Sequence, residues 1–172
     1  IEDYEMDNMM VGDSLLEHYN SNEIQIALES ATYYPKSKKF KIVFFKSKTK
    51  EYDTINVSIK DKDKEYIIYG LRGEKEMPLT MCKDMKDKQV KDIEEMINYK
   101  DKQEYIGEYG NDYGNSKAHI TDFTLKDGSL IRIFCADFDN NNENVKNNIW
   151  KDSLEVGINS KVYADFLTNE AY

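Results

Sequence analysis

The chain is short of the residues that most often carry chemistry. Its 172 residues include two histidines (His18 and His119), two cysteines (Cys82 and Cys135), two prolines and one tryptophan. Two cysteines, with two histidines far apart in sequence, do not compose a closed zinc site, so no transition-metal centre is expected. No apolar run approaches the roughly 20 residues of a membrane-spanning helix, so no transmembrane segment is expected. Surplus positive charge is missing too. The 24 Lys and Arg face 33 Asp and Glu, a net charge of −9. That excess argues against nucleic acid as a partner, because phosphate binding draws on a positive surface.

What is present suits a packed fold with a charged surface: 40% of residues are apolar and 33% charged. The length fits a single domain over 1–172, or two similar halves at about 13–73 and 80–167. The start at Ile1 rather than Met reads as an upstream segment removed, such as a signal peptide. The two cysteines stay ambiguous at this point. They would be buried thiols in a reducing compartment, or a bonded pair in an exported protein.

Periodicity lays out the elements. A broken helical region covers Ser14 to Ser30, with Ser21 as cap of its second piece. Strands follow at Phe40 to Lys46, Thr54 to Lys60 and Tyr66 to Arg72, the second with Ile55, Val57 and Ile59 on one face. Thr80 starts a long helix with a Met-rich stripe. Residues 99–117 lack a period and read as loop. Strands from Ala118 to Lys126 and Ser129 to Phe138 flank Asp127-Gly128, which predicts a two-residue type I′ turn placing Ile120 beside Cys135. After an Asn-rich loop come a strand from Trp150 to Ile158 and a helix capped by Ser160. The expected fold class is α+β: a mainly antiparallel sheet, in the order helix, three strands, helix, three strands, helix, with helices on one face.

Gly12-Asp13-Ser14-Leu15 resembles the nucleophile block of the GDSL esterase/lipase family. That family also needs a late Asp-x-x-His and a Gly-x-Asn-Asp block. Ser116-Lys117-Ala118 precedes His119, and Gly110-Asn111-Asp112 lacks the spacer residue. A serine is a weak nucleophile without a positioned base, so the string is read as a helix start, and no catalytic residue is assigned.

A broader resemblance rests on Val11-Gly12-Asp13-Ser14-Leu15-Leu16-Glu17-His18-Tyr19, Tyr66-Ile67-Ile68-Tyr69-Gly70-Leu71-Arg72-Gly73, Cys82-Lys83 and Trp150-Lys151-Asp152-Ser153-Leu154-Glu155-Val156. On these segments the chain is similar to an uncharacterised family of small exported proteins from marine bacteria. The resemblance implies a periplasmic or extracellular location and a disulfide between Cys82 and Cys135; it implies no activity. The doubled helix-and-sheet order is also similar to tandem-repeat folds such as the β-lactamase inhibitory proteins, an analogy of architecture alone.

Two stretches invite a site reading. Asp137-x-Asp139-x-Asn141 opens like a calcium loop, but Asn142 and Asn148 stand where that loop needs Gly and an acid, so no metal is assigned. Tyr105, Tyr109 and Tyr113 recur among Gly107, Gly110 and Gly114, and form the candidate binding set. Arg72 is expected to make a structural ion pair, and Arg132, between Ile131 and Ile133, marks a face of its hairpin that is wet or paired. No cofactor is expected. The functional expectation is a noncatalytic exported protein that binds a protein or small ligand. The alternatives are a Ser14-dependent hydrolase and a structural envelope protein.

Overall fold

Residues 55–59 are buried at every position, as in a strand covered on both faces. The computed structural model describes residues 4–172. These form α1 (Leu15–His18), α2 (Ser21–Glu29), β1 (Thr32–Tyr33), β2 (Phe40–Lys46), β3 (Thr54–Lys60), β4 (Ile68–Glu76), α3 (Leu79–Met96) and β5 (Tyr99–Glu108). Then come β6 (Lys117–Leu125), β7 (Leu130–Asp137), α4 (Glu143–Asn148), β8 (Ser153–Asn159) and α5 (Lys161–Asn169). The strands hydrogen-bond in the order β1-β2-β3-β4-β8-β7-β6-β5 as one eight-stranded sheet. Pairing is antiparallel, with Phe40 opposite Lys60 and Tyr105 opposite Ile120.

The expected order of three strands, helix and three strands is therefore corrected. Residues 99–117 are not loop: they carry the ten-residue β5 and a 3-10 turn at Asn111–Tyr113. The two-residue β1 adds another strand, and the Asn-rich stretch folds as α4. Asn142 caps α4 by accepting from Asn144 N and Val145 N. Caps shift as well. Asn20, not Ser21, caps α2 through a capping box with Glu23, and Thr80 lies inside α3, whose N-cap position is Pro78. The type I′ turn is also corrected. The link spans 126–129, Gly128 alone of the Asp127-Gly128 pair has positive φ (+85°), and the Asp127 carboxylate accepts from Ser129 N at 2.8 Å.

The chain divides into two compact units. One holds the described residues to Gly73 with Asp127–Leu130 and Gly157–Tyr172; the other holds Glu74–Lys126 and Ile131–Val156. In the first unit, Phe40, Tyr163, Phe166 and Ala171 form a buried cluster. The Tyr163 ring occupies the space over Gly70, where an added Cβ would stand 2.7 Å from it. Its hydroxyl meets Tyr34 Oη and accepts from Ser58 Oγ at 2.7 Å. Ser58 and Asn56, on the face of β3 opposite Ile55, Val57 and Ile59, are buried too: Asn56 accepts from Arg72 Nε and Nη2 (3.1 and 2.9 Å) in the amide orientation that satisfies both groups.

Asp7 is a second buried polar anchor. Its carboxylate accepts from Lys48 N, Thr49 N, Thr49 Oγ1 and Ser47 Oγ at 2.8–2.9 Å, closing the turn after β2. Burial alone would raise its pKa, but these donors outweigh it and hold the carboxyl below its ordinary value.

In the second unit Cys82, in the first turn of α3, is bonded to Cys135 of β7, with Cα atoms 5.9 Å apart. Cys82 and Cys135 are wholly buried, as are Phe123, Ile131 and Ile133. The stripe of α3 is narrower than its composition suggested: Val90 and Ile93 are buried, while Met81 and Met96 are exposed.

Two stability tests follow from these anchors. Asp7→Asn is expected to destabilise the protein by about 1–3 kcal/mol at pH 7, as buried donors lose a charged acceptor. A lowered folded pKa contributes stability above the unfolded value near 4, lost as pH falls through the folded value, so the variant's stability should depend less on acid. Urea titrations at pH 7 and 3 measure both effects, and equal acid slopes in the two proteins would contradict this account. Reduction of Cys82–Cys135, which closes 53 residues, is expected to cost about 4 kcal/mol on the chain-entropy model. Unfolding midpoints with and without reductant check it.

Candidate functional site

The Gly12–Leu15 string lies along the start of β4. Gly12 N donates to Ile68 O, Ile68 N to Asp13 O, and Leu15 N to Tyr66 O, at 2.9–3.1 Å. Ser14 is the N-cap of α1. Its Oγ accepts from Leu16 N at 3.2 Å and donates to Glu65 O at 2.5 Å. His18 Nε2 is turned to Asp13 Oδ2 at 2.9 Å. The hydroxyl is thus engaged by backbone, and the imidazole by a carboxylate that also accepts from Met10 N. Asp13, Glu17 and His18 bring potential metal-ligand atoms within 4.8 Å of one another. Counting histidines alone missed this group; the spacing of Asp13, Glu17 and His18 across a helix start was its only trace in the sequence. Within it the Asp13 carboxylate is held by His18 and by Met10 N, which ties the helix start to the turn before it.

The tyrosine set separates. Tyr105, on β5, donates from its hydroxyl to Asp122 Oδ2 at 3.0 Å and accepts from Arg132 Nη2 at 2.9 Å. Arg132 also grips Asp122 through Nε and Nη2 (2.7 and 2.8 Å). Desolvation is the main influence on the Tyr105 hydroxyl and raises its pKa, with Arg132 opposing.

Tyr109 and Tyr113 join a different group with two aromatics the sequence did not connect to them. Tyr109 packs on Phe138 with centroids 5.0 Å apart, Phe138 meets Trp150 at 5.3 Å, and Tyr113 stacks on Trp150 at 4.8 Å and 10°. Short polar groups hold the loops that carry them. Asp139 Oδ2 accepts from Asn115 N at 3.1 Å, and Oδ1 from Asn141 N at 3.0 Å. These two backbone donors, the Asn115 bond first, lower the Asp139 pKa. Asp139 N donates to Ser116 Oγ, which donates in turn to Tyr113 O at 2.6 Å. Gly114 is required here: its φ is +63°, and a Cβ would stand 2.7 Å from Asp139 Oδ2. In the calcium-like string, both Asp139 oxygens are engaged by these turns, and Asp137 Oδ2 lies 3.8 Å from His119 Nε2.

The group reaches the surface at its Trp150 end. Trp150 is 37% exposed, and Ile149 beside it is 74% exposed. Ile149 also adopts a left-handed conformation (φ +57°, ψ +33°) as the C-cap of α4. A β-branched residue is costly there, where Gly or Asn is usual. After Trp150, Lys151 and Asp152 border an open cleft of about 380 Å³ with Glu76, Met77, Pro78 and Asn140. Lys151 Nζ pairs with Glu76 Oε2 at 2.7 Å at its rim. Asp152 Oδ1 accepts from Phe138 N at 2.9 Å, tying the cleft to the aromatic group.

Ser14→Ala is expected to cost about 1 kcal/mol as a lost helix cap. A fluorophosphonate probe is expected to leave Ser14 unlabelled; stoichiometric labelling, read by intact mass, would establish an activated serine. Comparison of the chain with protein-family models, with curated proteins and with solved structures finds no match, so the reading of the site rests on its own geometry.

Proposed function

We propose that the protein is a noncatalytic, exported binding protein whose aromatic group at Tyr109, Tyr113, Phe138 and Trp150 holds a protein or small-ligand partner. The observation that carries this reading is the exposed Ile149-Trp150 pair, presented by an unfavourable left-handed residue and backed by the Tyr113 ring. Strain of this kind is worth about 1–3 kcal/mol and persists where the surroundings impose it. An apolar pair held in water by such a turn suits recognition better than packing. The adjoining cleft offers a ligand both signs of charge, from Lys151 and from Glu76 and Asp152. Export is supported by the buried Cys82–Cys135 bond, since such bonds persist in oxidising compartments. Among the described residues no helix is long and apolar enough to cross a membrane.

Native mass spectrometry of protein purified from its source tests for a retained ligand or partner. Trp150 is the chain's only tryptophan, so its fluorescence reports on this site directly when the retained molecule is titrated back. Trp150→Ala is expected to weaken binding by tenfold or more, about 1.4 kcal/mol or above, without unfolding the protein. A partner that binds equally well to Trp150→Ala and leaves wild-type fluorescence unmoved would place recognition elsewhere.

A further inference from the structure

Strand β5 ends the strand order, so among the described residues its outer backbone edge has no neighbouring strand in the sheet. The other end of the order is the two-residue β1, too short to recruit a chain. By contrast, β5 runs for ten residues without proline, and its one irregularity is the register shift between Tyr99 and Asp101. Both faces of its middle are open: Gln103, Glu104, Tyr105 and Ile106 are exposed. A long regular edge is a template for another strand, and proteins commonly blunt such edges unless they use them.

The charges along this edge complement themselves. Lys102 and Glu104 flank Gln103 on one face, and already pair within the strand at 2.6 Å. We propose that β5 pairs with β5 of a second copy of the chain, antiparallel about a two-fold axis at Gln103. Lys102 then stands opposite Glu104 of the second copy, and Glu104 opposite its Lys102. Cross-strand partners share a face, so the four groups form a square in which each charge has opposite charges at both adjoining corners. Lys102 brings a further carboxylate to the square, Glu94 of α3 at 2.9 Å. On the other face Gln103 meets Gln103 and Asp101 meets Tyr105. Moving the axis to either neighbour loses this match, because Lys102 would oppose Lys102, or Glu104 would oppose Glu104. The dimer is isologous, as a two-fold contact requires.

Sedimentation velocity of the purified full chain over a concentration series tests the proposal. The wild type is expected to pass from monomer to dimer, and hydrogen exchange of the β5 amides to slow in step. Glu104→Lys, which sets lysines opposite one another, is expected to weaken the dimer by about tenfold or more, and Lys102→Glu with Glu104→Lys to restore it. Gln103→Cys should cross-link to itself on oxidation, the native cysteines being already bonded. All three positions are on the exposed edge, and circular dichroism confirms that each variant is folded. A wild type that stays monomeric to about 1 mM, the weak limit of specific association, overturns the proposal. A dimer indifferent to the charge reversals, or one whose Gln103→Cys variant does not cross-link, overturns it as well.

Discussion

The Tyr163 ring can lie where it does only because residue 70 has no side chain. A Cβ at Gly70 would meet the ring at 2.7 Å and Asn159 Oδ1 at 2.8 Å. Much of the first unit is organised by that contact. The ring brings α5 onto β4, Phe40 and Phe166 close around it at 5.1 and 6.1 Å, and its hydroxyl meets Ser58 and Tyr34. Burial raises the pKa of both tyrosine hydroxyls, which keeps them neutral and able to share a hydrogen bond in a place where a charge would be costly. A buried hydroxyl without partners would destabilise this core; one with two fixes the position of the helix that carries it.

The second unit solves the same problem by other means. α3 is anchored covalently, through Cys82 to Cys135, and only a few of its side chains need be buried. That leaves Met81 and Met96 at the surface. Where the loops after β5 and β7 approach each other, order comes from stacked rings and from hydrogen bonds to Asp139, Ser116 and Asn142 rather than from aliphatic packing. Stacked rings keep flat surfaces near water, and the half-exposed Trp150 lies at the end of such a stack.

How much of this was legible in the sequence depended on burial. β2 and β3 have the bounds the pattern gave them, since one face of each carries Phe40 and Ile55, Val57 and Ile59 into the core. Ser160 caps α5 as expected, because an N-cap is a local device. β5 was illegible for the opposite reason. Most of its residues are exposed, on both faces, and it is a lysine, Lys102, whose ammonium lies over the Phe123 ring, so no alternation of apolar and polar residues records the strand. The site divided in the same way. Tyr109 and Tyr113 could be picked out by their recurrence among glycines, but the rings they meet, Phe138 and Trp150, lie 29 and 37 positions further on (138 − 109 and 150 − 113), and nothing local announces contacts of that range. Tyr105 shares their spacing yet belongs to a strand, where its hydroxyl serves the Arg132–Asp122 pair.

Few prolines and glycines, two and eight in 172 residues, leave this chain short of the usual turn formers. Aspartates take their place. Asp7 accepts from the backbone of Lys48 and Thr49, Asp63 from Glu65 and Ile67, Asp127 from Ser129, Asp139 from Asn115 and Asn141, and Asp152 from Phe138. A carboxylate accepts several N–H bonds at once, which a hydroxyl does less well, and it is strongest in its charged form. The donors hold Asp7, Asp127 and Asp139 below the ordinary aspartate value. Each such clamp is complete near neutrality and weakens as pH falls through its lowered pKa, when protonation removes the charge that the amides were holding. The excess of acidic residues is thus partly structural. Part of the chain's negative charge closes the turns, including those that present Tyr113 beside Trp150.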